Sequence, residues 1–128
     1  MKTVIMLVDD DALFLEELSE ILRSGDYETV EVRDPRKAVE MAQRVRPDLI
    51  LLDLKMPGQS GFEVAFDLKD EPALAFIPII AMSGLPDQKH SVYLELSQVR
   101  KFLAKPFNPL DLIWAVEDAL NQEQSVLV

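Results

Sequence analysis

The chain has 128 residues, 48% of them apolar, no cysteine and a formal charge of −10 at neutral pH. That length suits one domain with a core of its own, and that apolar share suits a folded chain rather than a disordered one. The charge argues against direct nucleic-acid or membrane binding through a basic patch; the lack of cysteine excludes disulfides and thiolate metal sites; and no apolar run reaches membrane-spanning length.

The N-terminal stretch MKTVIMLVDD has one lysine and a short apolar run that stops at aspartates. It is too short for a signal peptide, so a soluble, cytoplasmic protein is expected. Thr3 to Val8 reads as a strand, apolar from Val4 on, and runs into Asp9, Asp10 and Asp11. A helix follows over Ala12 to Ser24, with Phe14, Leu18, Ile21 and Leu22 on one face and Gly25 as its stop. Tyr27 to Val32 is a second strand. Asp34 then caps a helix with Pro35 at its first position; Ala38, Val39, Ala42 and Val45 form its inner face.

The stretch Asp48 to Gly61, DLILLDLKMPGQSG, is the centre of the chain. Leu49, Ile50, Leu51 and Leu52 suit a strand covered on both faces, as in a parallel sheet. The run ends on Asp53, and Pro57, Gly58 and Gly61 prevent the strand from continuing. A third helix is expected over Phe62 to Lys69, with Pro72 breaking the pattern. Pro78 to Met82 is the next buried strand and ends at Ser83-Gly84. Pro86 or Asp87 starts a weakly amphipathic helix through Val92, Leu96 and Val99. Lys101 to Ala104 is a short last strand ending at Lys105-Pro106. Asn108 caps a final helix, with Pro109 at its first position and Asp111 in its first turn.

The alternation of strand and helix implies an α/β fold: a doubly wound, five-stranded parallel sheet with five helices and right-handed crossovers. One domain is expected over residues 1–124, with 125–128 as a short tail. Parallel strands place all their carboxyl ends on one edge, where open α/β sheets bind ligands. That edge receives Asp9 and Asp10, Asp53, Ser83 and Lys105. Three neighbouring carboxylates repel one another and call for a cation, and Mg²⁺ typically takes one or two carboxylates plus waters. An ionised aspartate there is a nucleophile toward a phosphoryl group, with the cation, Lys105 and the Ser83 hydroxyl to neutralise its oxygens.

VDDD, DLKMPGQSG, IIAMSG and KFLAKPF, in that order at strand ends, resemble the receiver domain of two-component response regulators over the whole chain. The resemblance implies a flavodoxin-like receiver fold and a Mg²⁺-dependent phosphorelay switch rather than an enzyme acting on other molecules. It implies that Asp53 accepts the phosphoryl group and that Asp10 binds the metal directly, with Asp9 acting more through water. Lys55 would lend its backbone carbonyl, Ser83 would be the switch hydroxyl, Lys105 the phosphate-pairing lysine and Phe102 the aromatic that turns inward. The Lys105–Pro106 bond would be cis. The implied partners are a sensor histidine kinase or phosphotransfer protein and a downstream protein target.

Two features depart from that pattern or exceed it. Gln98-Val99 stands where the family usually has Gly-Ala, which puts the end of the preceding helix in question; Lys55 and Leu85 sit where the family tunes phosphate lifetime. On the final helix Leu112, Val116, Ala119 and Leu120 share the core face, so Leu110 and Trp114 point away from it. Trp114 is therefore expected to anchor a partner or a homodimer, and Leu13, off the core face beside Asp10, is a second candidate contact. His90 reads as surface and Val126 to Val128 as a frayed end.

Each site feature alone has a plain reading: Asp11 as a helix cap, Asp53 as a turn former, Ser83-Gly84 as a turn, Lys105 as surface, Phe102 as core. A phosphatase of the haloacid dehalogenase type would use Asp9 and Asp11 but leaves Asp53 without a role. A phosphorylation-independent interaction module has no need of the acid, serine and lysine set. A flavodoxin-like FMN carrier lacks the hydroxyl-rich phosphate loop after the first strand.

Overall fold

The apolar runs become five parallel strands: β1 (Val4–Val8), β2 (Glu28–Val32), β3 (Leu49–Asp53), β4 (Ile79–Ser83) and β5 (Val99–Ala104). They form one sheet in the order β2-β1-β3-β4-β5, the doubly wound arrangement with β3 at its centre. The computed structural model describes residues 2–56, 58–84 and 98–125. Four α-helices lie among them: α1 (Ala12–Ser24), α2 (Ala38–Val45), α3 (Gly61–Asp70) and α4 (Pro109–Ser125). The helix expected from Pro86 or Asp87, with Leu85 and His90, falls outside the described residues, as do Pro57 and Val126 to Val128.

Alternate side chains of each strand serve opposite layers. Met6, Val8, Ile50, Leu52, Ile79 and Ala81 pack with Ala38 and Ala42 of α2 and Val64, Ala65 and Leu68 of α3. Ile5, Leu7, Leu49, Leu51, Ile80 and Met82 pack with Leu15, Leu18 and Leu22 of α1 and with Leu112, Ala115, Val116 and Ala119 of α4. All five residues of β3 are buried, as expected for a strand covered on both faces. Val8 pairs with Leu52, Asp53 with Met82, and Ser83 with Ala104, so the carboxyl ends of β1, β3, β4 and β5 arrive together.

Several local expectations need correction. The stripe that α1 buries is Leu15, Leu18, Ser19 and Leu22; Phe14 and Ile21 are half-buried on its flank. Ser19 is tolerated inside because its hydroxyl donates to the Glu31 carboxylate at 2.9 Å. Gly25 ends α1 without a left-handed turn, at φ −89°, and the positive φ falls on Asp26, at 71°. Close packing favours glycine there instead: a Cβ would lie 3.3 Å from Ile113 Cδ1. Asp34 caps a single 3₁₀ turn, Pro35–Lys37, rather than the α-helix, which begins only at Ala38.

The last strand starts two residues earlier than expected. Ile79 pairs with Val99 but Ile80 with Lys101, so Arg100 is an extra residue in β5 and the register shifts there. Its guanidinium reaches the Ala119 carbonyl of α4 at 3.0 Å. Gln98, 4% exposed, donates its amide to the carbonyls of Leu74 and Ile77 at 2.9 and 3.1 Å. The departure from Gly-Ala is therefore a brace between the α3–β4 connection and the start of β5. The Gln98 Oε1 is buried without a partner among the described residues. No described helix is long and apolar enough to cross a membrane.

Candidate functional site

The first turn of α1 sets one wall of the site. Asp11 caps that helix, accepting from the backbone N–H groups of Leu13 and Phe14 at 3.1 and 3.2 Å. Its own N–H donates to Asp9 Oδ1 at 2.9 Å, which orients the Asp9 carboxylate. Asp11 therefore has a role of its own as the cap of α1. The opposite wall is the loop after β3, where Leu54 N–H donates to the Met82 carbonyl at 3.0 Å and Gly61 N–H to the Leu54 carbonyl at 3.2 Å. Lys105 N–H donates to the Ser83 carbonyl at 2.7 Å and so ties the end of β5 to β4.

Between these walls Asp9 is 1% exposed, Asp53 is 5% exposed and Asp10 faces solvent. One carboxylate oxygen from each lies within 4.8 Å of the others. Oxygens on opposite sides of a shared Mg²⁺ stand about 4.2 Å apart, since each sits about 2.1 Å from the ion. Small side-chain rotations would close that difference, and an all-oxygen donor set suits a hard cation. The residues fit Mg²⁺. Lys105 Nζ donates to Asp9 Oδ2 at 2.9 Å and stands 3.4 Å from Asp53 Oδ1. The Lys55 N–H also points at Asp53 Oδ1, at 3.4 Å.

Burial pushes the Asp53 carboxyl above the usual aspartate range, and the neighbouring Asp9 charge pushes it the same way. Lys105 and the Lys55 N–H oppose that rise without cancelling it. Asp53 is thus a carboxylate whose charge is under-compensated by the protein alone. A cation among the three aspartates would favour its ionised, nucleophilic form.

Ser83 is half-buried at the end of β4, and Phe102 is half-buried against the layer containing Ile79 and Val99. The Lys105–Pro106 peptide is cis, as the motif implied. Leu13, Leu110 and Trp114 are 72%, 80% and 61% exposed, so all three lie off the core as their spacing indicated. Trp114 is not bare: Lys101 Nζ lies 4.1 Å from its ring centroid and 2.9 Å from Asp118 Oδ2. An open groove of about 580 Å³ between β5 and α4 runs past Phe102, Pro106 and Trp114.

One neighbour of the site was missed in the sequence. Lys105 Nζ lies 4.3 Å from the ring centroid of Phe14, which meets Phe107 edge-on at 5.8 Å. Helical periodicity assigned Phe14 to the core; its place three residues after the Asp11 cap was the available signal.

The family model for the response regulator receiver domain matches residues 5–117. The chain belongs to that family. This receiver is 31% identical over 104 residues to the polar-differentiation response regulator DivK of Brucella anthropi, covering 81% of this chain and 85% of DivK. It is 32% identical over 122 residues to the DNA-binding response regulator MtrA of Mycobacterium tuberculosis, covering 95% of this chain but only 52% of MtrA. The receiver thus spans about half of that longer relative. Among solved structures, the receiver domain of the sensor histidine kinase PA1611 of Pseudomonas aeruginosa PAO1, with a magnesium ion coordinated in its active-site cleft, superposes with a TM-score of 0.85. It is 26% identical, and the match covers 95% of this chain and all of that one.

Proposed function

We propose that this receiver accepts a phosphoryl group on Asp53 in a Mg²⁺-dependent reaction and uses it to switch a protein-binding face. The observation that carries the reading is the pairing of a 5%-exposed Asp53 with Lys105 at 3.4 Å, beside Asp9 and Asp10. An Asp53 oxygen attacks the phosphorus of a phospho-histidine on a kinase or phosphotransfer protein, or of an acyl phosphate. The P–N or P–O bond to the donor breaks, and the imidazole or carboxylate leaves with that electron pair. Asp9, Asp10, Asp53 and the Lys55 carbonyl would hold Mg²⁺, which supplies positive charge against the phosphoryl oxygens. The magnesium in the PA1611 receiver supports the assignment of the metal.

Lys105 then pairs with a phosphoryl oxygen, and the Ser83 hydroxyl donates to another. Ser83 follows Met82, the partner of Asp53 in the sheet, so the β4 end responds directly to charge added at the β3 end. Phe102 of β5 shares the groove with Trp114 and is the aromatic that reports the change at the surface. A downstream protein would read that face through Trp114 and Leu110, and Leu13 lies on the rim from which a donor histidine approaches Asp53. The domain limits are 1–124, the location cytoplasmic, and the chemistry confined to the receiver's own phosphorylation and dephosphorylation.

Intact-mass measurement after incubation with acetyl phosphate and Mg²⁺ tests the reading. A gain of one phosphoryl group is expected, abolished by Asp53→Asn and by chelation. A gain that survives Asp53→Asn would defeat the assignment of the acceptor. Absence of both a mass gain and Mg²⁺-dependent binding of beryllium fluoride in the unaltered protein would defeat the function itself and favour the phosphorylation-independent module.

A further inference from the structure

Phe14 sits in the first turn of α1 but outside its buried stripe, which is carried by Leu15, Leu18 and Leu22. It is half-buried against the flank of that core, a contact that an aliphatic side chain of similar bulk would also make. Besides packing against the flank of that core, its ring meets the turn after β5 twice: edge-on to Phe107 at 5.8 Å, and face to the Lys105 ammonium at 4.3 Å. The ammonium distance lies well inside the roughly 6 Å range of a cation–π attraction. The backbone under the ring is fixed by the Asp11 cap, 3.2 Å from the Phe14 N–H.

We propose that Phe14 is a positioning residue for Lys105: its ring holds the ammonium at the mouth of the carboxylate cluster while Asp9 and Asp53 are shared with a cation. The inference deepens the phospho-acceptor reading and rests on it. A lysine head on a four-carbon stem has many places to go, and only fixed partners keep it over one point. Here those partners are Asp9 at 2.9 Å and Asp53 at 3.4 Å. Both also belong to the three-carboxylate group suited to Mg²⁺. Sharing their oxygens with a divalent cation weakens their hold on the ammonium and adds like-charge repulsion. An aromatic face is no ligand for a hard, oxygen-seeking ion, so its attraction for the ammonium survives that exchange. Lys105 then remains beside Asp53 when a phosphoryl oxygen arrives. Leucine would fill much of the same space without offering a negative face.

The test compares the unaltered protein with Phe14→Tyr, Phe14→Leu and Phe14→Met. Proton NMR reads the Lys105 ε-methylene signals, which a ring below the ammonium moves upfield, first without metal and then with saturating Mg²⁺. The upfield shift is expected to persist with Mg²⁺ in the unaltered and tyrosine forms and to vanish in the leucine and methionine forms. Phosphorylation by acetyl phosphate should show a rate at saturating donor that falls roughly threefold to tenfold in the leucine form, the range a cation–π contact supports. Tyrosine should restore that rate, with Mg²⁺ affinity unchanged across the series. Loss of the shift in the unaltered protein on adding Mg²⁺ would overturn the proposal, and that measurement needs no variant to fold. A tyrosine form as slow as the leucine form would also overturn it. Should the unaltered protein keep the shift with Mg²⁺ yet neither take a phosphoryl group nor bind beryllium fluoride, the acceptor reading fails while the hold of Phe14 on Lys105 stands.

Discussion

Replacing Gly61 by alanine is expected to damage the fold and the site together. A Cβ at Gly61 would collide with the Asp53 carbonyl oxygen and lie 2.8 Å from Leu54 Cα and 2.9 Å from Asp53 C. All three obstacles are backbone, so no side chain can rotate aside to make room. Overpacking in a well-packed interior destabilises by about 1–3 kcal/mol, and a backbone collision belongs at the upper end. The Gly61 N–H bond to Leu54 O, 3.2 Å long, would be strained by the same displacement. Two other glycines separate this effect from the loss of glycine in general. Among the described residues a Cβ at Gly58 would meet nothing within 4 Å, but the φ there is 87°, so alanine should cost about 1–2 kcal/mol through backbone strain alone. Among the described residues a Cβ at Gly84 would meet nothing within 4 Å, and Gly84 has no such φ, so alanine should be neutral or stabilise by up to about 1 kcal/mol through the unfolded chain. Urea unfolding followed by circular dichroism gives the order: the midpoint should fall most for Gly61→Ala, less for Gly58→Ala and not at all for Gly84→Ala, with slopes unchanged. Because the obstruction is the carbonyl of Asp53 itself, Gly61→Ala should also slow phosphorylation under conditions where the variant is fully folded. A Gly61→Ala midpoint equal to that of Gly84→Ala would refute the close-approach argument.

Asp53→Asn should stabilise the metal-free protein at neutral pH. An acid whose folded pKa is raised binds its proton more tightly when folded, so its ionisation destabilises as pH climbs from the unfolded value, near 3.8, through the folded one, and stays constant above. The advantage of asparagine should therefore be largest above the folded value and shrink as the pH falls through it toward the unfolded one, read as urea midpoints in chelator; a constant difference would contradict the burial argument. Mg²⁺ at a hundredfold excess over its Kd should add about 2.7 kcal/mol to the unaltered protein. Trp114→Ala should leave acetyl phosphate labelling unchanged and weaken partner binding or self-association by about thirtyfold or more, the level of a binding hot spot, measured by sedimentation and by titration with the kinase or target. Unchanged affinity and unchanged oligomeric state would remove Trp114 from the interface.

The sequence exposed those features that depend on periodicity and on strand ends. β3 was legible because four consecutive branched apolar residues have few other uses, and its terminal Asp53 then had to lie at the ligand edge. Once the strands were parallel, Asp9, Asp53, Ser83 and Lys105 were bound to meet, although Lys105 is 96 residues from Asp9. Contacts that depend on side-chain direction were not legible. Phe14 fits the helical stripe within the tolerance of the period, yet one step of rotation hands the core position to Leu15 and leaves the Phe14 ring under Lys105. Gln98 looked like the loss of a helix-stopping glycine, because its role depends on two carbonyls 24 and 21 residues earlier that no local rule connects to it. The two misses share a cause. Each residue is anchored by a local pattern, a helix turn or a strand start, while its head group is claimed by a partner distant in sequence. For Phe14 that partner is the lysine beside the candidate acceptor, so the error fell where local packing and site chemistry make competing claims on one side chain.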